Sequence, residues 1–158
     1  MIIHPHQTEH FYLLGGKARA LADLADVGCD IPSWFAVTEL SDDIQDEIMR
    51  CAADLGAEFF AVRSSARGED GVEHSFAGQY DTFLYVEKDD LIEKIRKVRE
   101  SDQSDHLKTY QSSKEIDHAH KPTALIQAML SPDVSGVAFS ADPVSGNRSH
   151  AVVSGLWG

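Results

Sequence analysis

The chain has 158 residues, 42% of them hydrophobic and 25% charged, which fits one folded domain with a buried core and excludes an intrinsically disordered chain. Its formal net charge of −12 argues against broad contact with nucleic acid or an anionic membrane, because this charge repels polyphosphates at long range. A phosphate ligand would therefore need a local basic pocket.

The cysteines and the N-terminal residues bear on the cellular compartment. Cys29 and Cys51 do not form a C-x-x-C pair and cannot make a disulfide framework, which favours a reduced, cytoplasmic setting. The N-terminus has no basic region followed by an apolar stretch, and no run approaches the roughly 18 apolar residues of a membrane span. We therefore expect neither export nor a membrane-spanning segment.

Three amphipathic helices are predicted from apolar residues at helical spacing. The first begins after Gly16, has Leu24 on its apolar stripe and stops at Gly28. The second covers residues 41–55 and the third residues 89–100, with charged residues at most other positions of the third. The charged residues of the third helix are expected to form a solvated face.

Runs rich in β-branched and aromatic residues predict five strands. They cover residues 58–63, 81–86, 123–130, 134–141 and 150–153. The fold class is therefore α+β, with antiparallel hairpins in the C-terminal third. A polar connection at about residues 101–121 would separate sub-lobes of about 1–100 and 120–158. The predicted core consists of Leu21, Leu24, Ile48, Leu55, Val62, Phe83, Ile95, Ile126, Val137 and Phe139.

The segment AVRSSARGEDGVEHSFAGQYDTFLYV is the first candidate for phosphate binding. Arg63 ends a predicted strand and is followed by Ser64 and Ser65, a set that can hold phosphate by charge-assisted hydrogen bonds. At Gly78 and Gln79, backbone N–H groups could approach a polyphosphate closely, because glycine lacks the Cβ that would block it. A tight turn with a surface salt bridge is the structural alternative.

A second candidate anion site is Gly15-Gly16-Lys17, at the predicted start of a helix. Free N–H groups, the positive helix end and a flexible ammonium group would converge there. The residues match neither a Walker A loop nor the G-x-G-x-x-G fingerprint. A glycine turn beside a solvated lysine is the alternative interpretation.

The eight histidines do not indicate a metal site. Neither His4/His6/His10 nor His118/His120 has cysteine or carboxylate ligands at a recognised zinc spacing. We therefore predict no metal ligand within this chain.

Three segments occur here in the order of known family motifs. GGKARALADLADVGCDIPSWFAVT is similar to GGKGANLAEL…G-x-x-V-P-x-G-F-x-V-T, the segment from AVRSS to LYV is similar to AVRSSATAED…SFAGQ-x-x-T-x-LNV, and IQAMLSPDVSGVAFSADPVSGNR is similar to VQ-x-MV…SGVAFT-x-DP-x-TG. The chain therefore resembles the N-terminal ATP-binding domain of the phosphoenolpyruvate synthase and pyruvate phosphate dikinase family, an ATP-grasp relative also found in rifampin phosphotransferase. Trp34 departs from the motif, which has glycine there.

The resemblance implies the N-terminal portion of an ATP-grasp-like nucleotide-binding domain, residues 1–158, with mixed or antiparallel sheets and flanking helices. It implies that Lys17 and Arg63 contact the ATP phosphates. It also implies that the remaining matched positions bind the nucleotide, three in a small-residue phosphate loop and two near the adenine pocket: Gly78, Gln79, Thr82, Gln127 and Met129.

For the parent family, the resemblance implies an ATP-dependent phosphotransferase. ATP would phosphorylate a histidine on a mobile domain, which would pass the phosphate to pyruvate, so the expected partners are the phosphohistidine and pyruvate-binding domains of a longer enzyme. The expected cofactors are ATP and Mg²⁺, with the metal ligands expected beyond Gly158 and no turnover expected from this chain alone. The alternatives are a noncatalytic nucleotide-binding or interaction module, and the ATP module of a related dikinase that acts on an antibiotic or a glucan.

Overall fold

A computed structural model of the chain describes residues 1–66, 70–71, 74–75, 82–101 and 121–157, with the backbone alone for 70–71 and 74–75. These residues form helices and antiparallel sheets, which confirms the α+β class. The helices are α1 (Gly16–Asp26), α2 (Gln45–Asp54) and α3 (Leu91–Glu100), and 3₁₀ turns lie at Thr8–Leu13, Asp42–Ile44 and Lys88–Asp90. The strands are β1 (Ile2–Ile3), β2 (Trp34–Val37), β3 (Phe60–Ser65), β4 (Asp70–Gly71), β5 (His74–Ser75), β6 (Thr82–Val86), β7 (Thr123–Ala128), β8 (Val134–Phe139) and β9 (Val152–Trp157).

Five strands form one antiparallel sheet in the order β1-β2-β7-β3-β6. The central strand β7 pairs with β2 through Trp34 opposite Gln127, and with β3 through Arg63 opposite Leu125. β4 pairs with β5, and β8 pairs with β9, each in a separate two-stranded sheet. Apart from its two end residues, the predicted connection at 101–121 lies outside the described residues, so the division into sub-lobes stays a prediction.

Helices cover both faces of the five-stranded sheet. Burial on both faces explains why β2, β3 and β7 contain nearly continuous apolar runs. No helix among the described residues is long and apolar enough to cross a membrane. The face under α2 and α3 is built around Phe35, Ile48, Phe60, Val62, Leu91, Ile95 and Ile126. The face under α1 is built around Ile3, Leu14, Ala18, Ala22, Trp34, Ala36 and Leu125.

The buried stripe of α1 differs from the predicted one. Ala18 and Ala22 are buried, whereas Leu24 is 44% exposed, so the prediction of Leu24 as a core residue is wrong. Small side chains let the helix backbone come close to the strands, and this close approach selects the alanine face rather than the leucine face. Gly28 follows the helix with a φ of 80°, a left-handed conformation that suits the predicted stop.

β8 and β9 form a hairpin in which every residue of both strands except the half-buried Val152 is exposed. Val137 is 55% exposed and Phe139 is 42% exposed, so the predicted core is wrong at these two positions. The turn is closed by Asp142, whose Oδ1 accepts hydrogen bonds from the backbone N–H groups of Val144 and Ser145 at 2.8 and 3.1 Å. The apolar pattern therefore predicted these strands correctly but not their environment.

Candidate functional site

The C-terminal half of β3 presents polar side chains on the face covered by α1. Because side chains alternate along a strand, Arg63 and Ser65 lie on this face while Phe60 and Val62 pack under α2 and α3. Ser65 supports the assignment, since its Oγ accepts a hydrogen bond from the backbone N–H of Ala18 at 3.1 Å. β3 therefore brings a cation to the sheet face beside the start of α1.

Arg63 lies beside two other residues that were predicted to bind the nucleotide. Thr82 is its register partner on the neighbouring strand β6, so the two side chains lie on the same face. Nη1 of Arg63 donates a hydrogen bond to Oε1 of Gln127, on the adjacent strand β7, at 3.1 Å. Gln127 is 5% exposed, whereas Arg63 is half-buried. The tertiary structure thus brings together three predicted residues that are distant in sequence.

The start of α1 packs closely against the end of β3. A Cβ at Gly15 would overlap the backbone carbon and oxygen of Ser65, so only glycine permits this approach. The backbone N–H of Gly16 donates to the carbonyl oxygen of Ala66 at 3.3 Å, and that of Ala18 donates to Ser65 Oγ. These two N–H groups are therefore not free. The sequence predicted that the N–H groups at the start of α1 would be available to an anion, and for Gly16 and Ala18 this prediction is wrong.

Lys17 lies in the first turn of α1, between the two residues whose N–H groups bind Ser65 and Ala66, and it is half-buried. We call residues 15–18 and 63–66 the β3–α1 junction. Both cations that were predicted to contact phosphate, Lys17 and Arg63, belong to this junction. Because the junction's two hydrogen bonds hold the helix to the strand, the positions of the two cations depend on each other.

The charge of Arg63 is not neutralised by a neighbouring acid in the described part of the chain. The ion pairs there join other groups, and none places a carboxylate within 4.0 Å of Arg63. Its side-chain partner is the neutral amide of Gln127. A guanidinium carries five N–H donors, so several remain to bind an anion.

Met129 follows β7 and donates its backbone N–H to the carbonyl oxygen of Phe59 at 2.9 Å. At the other end of the same strand pair, Thr123 lies opposite Ser65. Met129, which was expected near the adenine, is therefore at the opposite end of β7 from the β3–α1 junction, whereas Gln127 reaches the junction through its hydrogen bond with Arg63. This separation is compatible with a nucleotide that extends along the strand pair.

Two buried polar groups have no hydrogen-bond partner in the described ranges: Nε1 of Trp34, opposite Gln127 on β2, and Oγ of Ser64. Trp34 is buried, and its unpaired N–H depends on packing that the sequence pattern does not contain. Gly78 and Gln79 lie outside the described residues, so their contact with phosphate stays a prediction.

His4, His6 and Cys51 form a cluster at α2 that the sequence did not predict. Nε2 of His4 lies 3.8 Å from Sγ of Cys51, and the rings of His4 and His6 stack with centroids 5.6 Å apart. Burial raises the pKa of the Cys51 thiol, and the negative charges of Glu47 and Asp54 raise it further. Within residues 1–66, 82–101 and 121–157, no group of three or more His, Cys, Asp or Glu residues is arranged to hold a metal ion.

A cavity of about 400 Å³ lies beside the C-terminal end of α3. It contains none of the residues that were predicted to bind the nucleotide. Its charged lining is balanced, so it does not select an anion. The charged residues are Glu39, Asp42, Glu100, Arg96, Arg99 and Lys121.

Residues 11–158 match the family model of the pyruvate phosphate dikinase AMP/ATP-binding domain. The chain is 32% identical over 99% of its length to the prodigiosin synthesizing transferase PigC of Serratia marcescens, and 37% identical over 76% of its length to a probable phosphoenolpyruvate synthase of Pyrococcus horikoshii. It is also 31% identical over 85% of its length to a rifampicin phosphotransferase of Bacillus cereus. The matched regions cover 20%, 16% and 16% of these relatives, so the chain spans at most a fifth of their length.

Proposed function

We propose that this chain, which belongs to the pyruvate phosphate dikinase AMP/ATP-binding domain family, binds the triphosphate of ATP at its β3–α1 junction. The family includes phosphoenolpyruvate synthases, which are phosphotransferases, so the parent family is enzymatic. The observation that carries the proposal is the position of Arg63, a half-buried cation on the α1 face of β3 that is paired with a neutral amide.

Lys17 and Arg63 would oppose the negative charge of the phosphates. Phosphoryl transfer depends mainly on positioning and electrostatic stabilisation, and a chain with a net charge of −12 needs such local cations to attract ATP at all. The Thr82 hydroxyl, on the same face as Arg63, adds a neutral donor to the proposed site. The expected contacts of Gly78 and Gln79 with phosphate, and of Met129 with adenine, stay predictions. The expected contact of Gln127 with adenine depends on the resemblance alone.

We also propose the later steps that the resemblance implies. The phosphoryl group would pass from ATP to a histidine on a separate mobile domain and from there to pyruvate. Relatives named phosphoenolpyruvate synthase support pyruvate as the acceptor, whereas a relative named rifampicin phosphotransferase supports an antibiotic as the alternative. A cytoplasmic location stays a prediction that depends on the two cysteines.

The described residues do not fit a Mg²⁺ site of their own. Mg²⁺ takes oxygen ligands in an octahedron, usually one or two carboxylates with phosphates and water. No group of three or more His, Cys, Asp or Glu residues is arranged to hold a metal ion in the part of the chain that the structure describes, so these residues do not form a Mg²⁺ site from protein ligands alone. No catalytic step is therefore assigned to Mg²⁺ here, and the expectation of metal ligands beyond Gly158 stays a prediction.

Calorimetric titration of ATP into the wild-type chain and into Arg63→Ala and Lys17→Ala tests the proposed site. Loss of one hydrogen-bonded charge from such a site is expected to weaken binding by roughly 1.5–3 kcal/mol. Arg19→Ala is a matched control, because Arg19 is an exposed residue of α1 and its removal changes the net charge by the same amount. The control is expected to bind ATP nearly as well as the wild type.

Unchanged ATP affinity in both Arg63→Ala and Lys17→Ala, with wild-type melting temperatures, would contradict the proposed site. Equal losses in Arg19→Ala and Arg63→Ala would also contradict it, since they would indicate a diffuse effect of net charge rather than a localised pocket.

A further inference from the structure

We infer that Gln127 is a positioning residue that orients the Arg63 guanidinium toward the phosphates of the nucleotide, rather than a residue that reads adenine. The inference rests on the proposed ATP site. Its direct observation is the 3.1 Å hydrogen bond from Arg63 Nη1 to Gln127 Oε1. Resemblance alone assigned Gln127 to the adenine pocket, and this contact gives its carbonyl oxygen a different partner.

The surroundings of Gln127 hold its amide in place. The residue is in the central strand, between Trp34 on β2 and Ala61 on β3, and it is almost completely buried. A long polar side chain confined in this way has already lost its rotamer freedom on folding. Arg63 is half-buried and has a flexible stem. The fixed amide of Gln127 therefore orients the guanidinium of Arg63, rather than the guanidinium orienting the amide.

A neutral partner suits this role better than a charged one. An aspartate or glutamate beside Arg63 would hold the guanidinium firmly but would also offset the positive charge that attracts an anion. The amide oxygen of Gln127 accepts one N–H and leaves the charge of Arg63 in place. Orientation and charge are thus supplied by different residues.

The test separates the two roles of Gln127 by using two halves of the ligand. Inorganic tripolyphosphate and adenosine are titrated separately into the wild-type chain, Gln127→Leu, Arg63→Ala and the double variant. We expect Gln127→Leu to weaken tripolyphosphate binding about tenfold, the lower range for loss of a hydrogen bond to a charged group, and to leave adenosine binding unchanged. The double variant is expected to bind tripolyphosphate no more weakly than Arg63→Ala alone, because Gln127 acts through Arg63.

Two further variants guard against a purely structural effect. Ile126→Leu changes the neighbouring residue of β7, which packs on the opposite face, and is expected to leave both affinities unchanged. Gln127→Glu introduces a carboxylate beside Arg63 and is expected to weaken tripolyphosphate binding more than Gln127→Leu does at neutral pH. The ratio of its affinity to that of the wild type should rise as the pH falls and the introduced carboxylate is protonated, a response that general loosening of the sheet would not produce.

The outcomes distinguish this inference from the proposed function. A wild-type chain that binds no tripolyphosphate overturns the proposed site and this inference with it. A wild-type chain that binds tripolyphosphate, together with a folded Gln127→Leu of unchanged affinity, overturns the inference alone. Loss of adenosine binding in Gln127→Leu, with tripolyphosphate binding intact, also overturns it and restores the role in reading adenine. If Gln127→Leu does not fold, a pH-independent affinity ratio in Gln127→Glu is the overturning result.

Discussion

β7 and β8 are strands of six residues with similar apolar content, yet they lie in opposite environments. The first five residues of β7 are buried, whereas every residue of β8 is exposed. Among the described elements, β7 has a strand on each side and a helical layer on each face, while β8 pairs with β9 alone. The comparison teaches that an apolar pattern predicts a strand, but that distant elements decide whether the strand is covered.

The five-stranded sheet and the β8–β9 hairpin are also expected to differ in how much they contribute to the stability of the fold. Arg63, Thr82 and Gln127 lie on the five-stranded sheet, where Gln127 is packed on several sides, Arg63 is half-buried and Thr82 is exposed on the edge strand β6. The β8–β9 hairpin exposes large apolar side chains, including Trp157 at 86%. A two-stranded hairpin is only marginally stable alone, so we expect the sheet to provide most of the free energy of unfolding.

The largest expected difference between the two regions comes from truncating one phenylalanine in each. Phe60→Ala removes a fully buried ring from the core under α2 and α3 and is expected to lower the free energy of unfolding by about 3–5 kcal/mol. Phe139→Ala is expected to lower it by less than about 1 kcal/mol, because the Phe139 ring is partly exposed already. Urea denaturation measures both. Equal losses would break the distinction between the sheet and the hairpin.

A smaller difference in stability between the two regions is expected when a glycine in each is replaced by alanine. Gly15→Ala would place a Cβ against the backbone of Ser65 and force the β3–α1 junction apart, at an expected cost of about 1–3 kcal/mol and with weaker ATP binding. Gly155→Ala in the hairpin is the control, because the nearest atom to its Cβ would be the oxygen of Ser135 at 3.7 Å, an ordinary contact. Thermal unfolding and ATP titration of both variants check this. A Gly15→Ala variant as stable as Gly155→Ala would mean that the junction yields easily.

Thiol reactivity gives a kinetic measure of the same contrast. Cys51 is buried and its thiol pKa is raised by burial, so it is expected to react with a disulfide reagent about tenfold more slowly than an exposed thiol, or slower still. An Ala138→Cys variant places a thiol in the exposed strand β8, and Cys29 is an exposed internal reference. Reaction of Cys51 as fast as the thiol at position 138 would show that the core between α2 and the sheet opens as readily as the hairpin.

The smallest expected effect is the loss of stability in the hairpin turn when Asp142 is protonated at low pH. Backbone N–H groups of Val144 and Ser145 lower the pKa of Asp142, so its contribution to stability is fully present above the ordinary aspartate pKa of about 3.9. That contribution is lost as the pH falls through the lowered value, because the protonated acid is a poorer acceptor. The amide resonances of Val144 and Ser145 in NMR spectra should change as the pH falls through this lowered value. Asp142→Asn should remove this change, whereas a loss of amide protection in the five-stranded sheet that depends on Asp142 over the same pH range would contradict the independence of the two regions.

Local sequence signals predicted most of the regular elements. Helical spacing and Gly28 located α1, and β-branched runs located β3, β6, β7 and β8, with ends that differ by a few residues. Motif resemblance identified the family, which the family model confirms over residues 11–158. The same signals assigned Leu24 and Val137 to the core wrongly, because hydrophobicity at one position carries no information about which distant element will cover it.

The sequence by itself determined that this chain is an α+β ATP-binding domain of its family, since the spacing of apolar residues and the glycine-rich motifs are local properties of the chain. It also marked Arg63 as a cation at the end of a strand. Only the tertiary structure decided that the N–H groups of Gly16 and Ala18 bind Ala66 and Ser65 at the end of β3, and that Arg63 lies against Gln127. These contacts join residues distant in sequence, and they depend on strand register and on the packing of helices across the sheet, which no local pattern encodes.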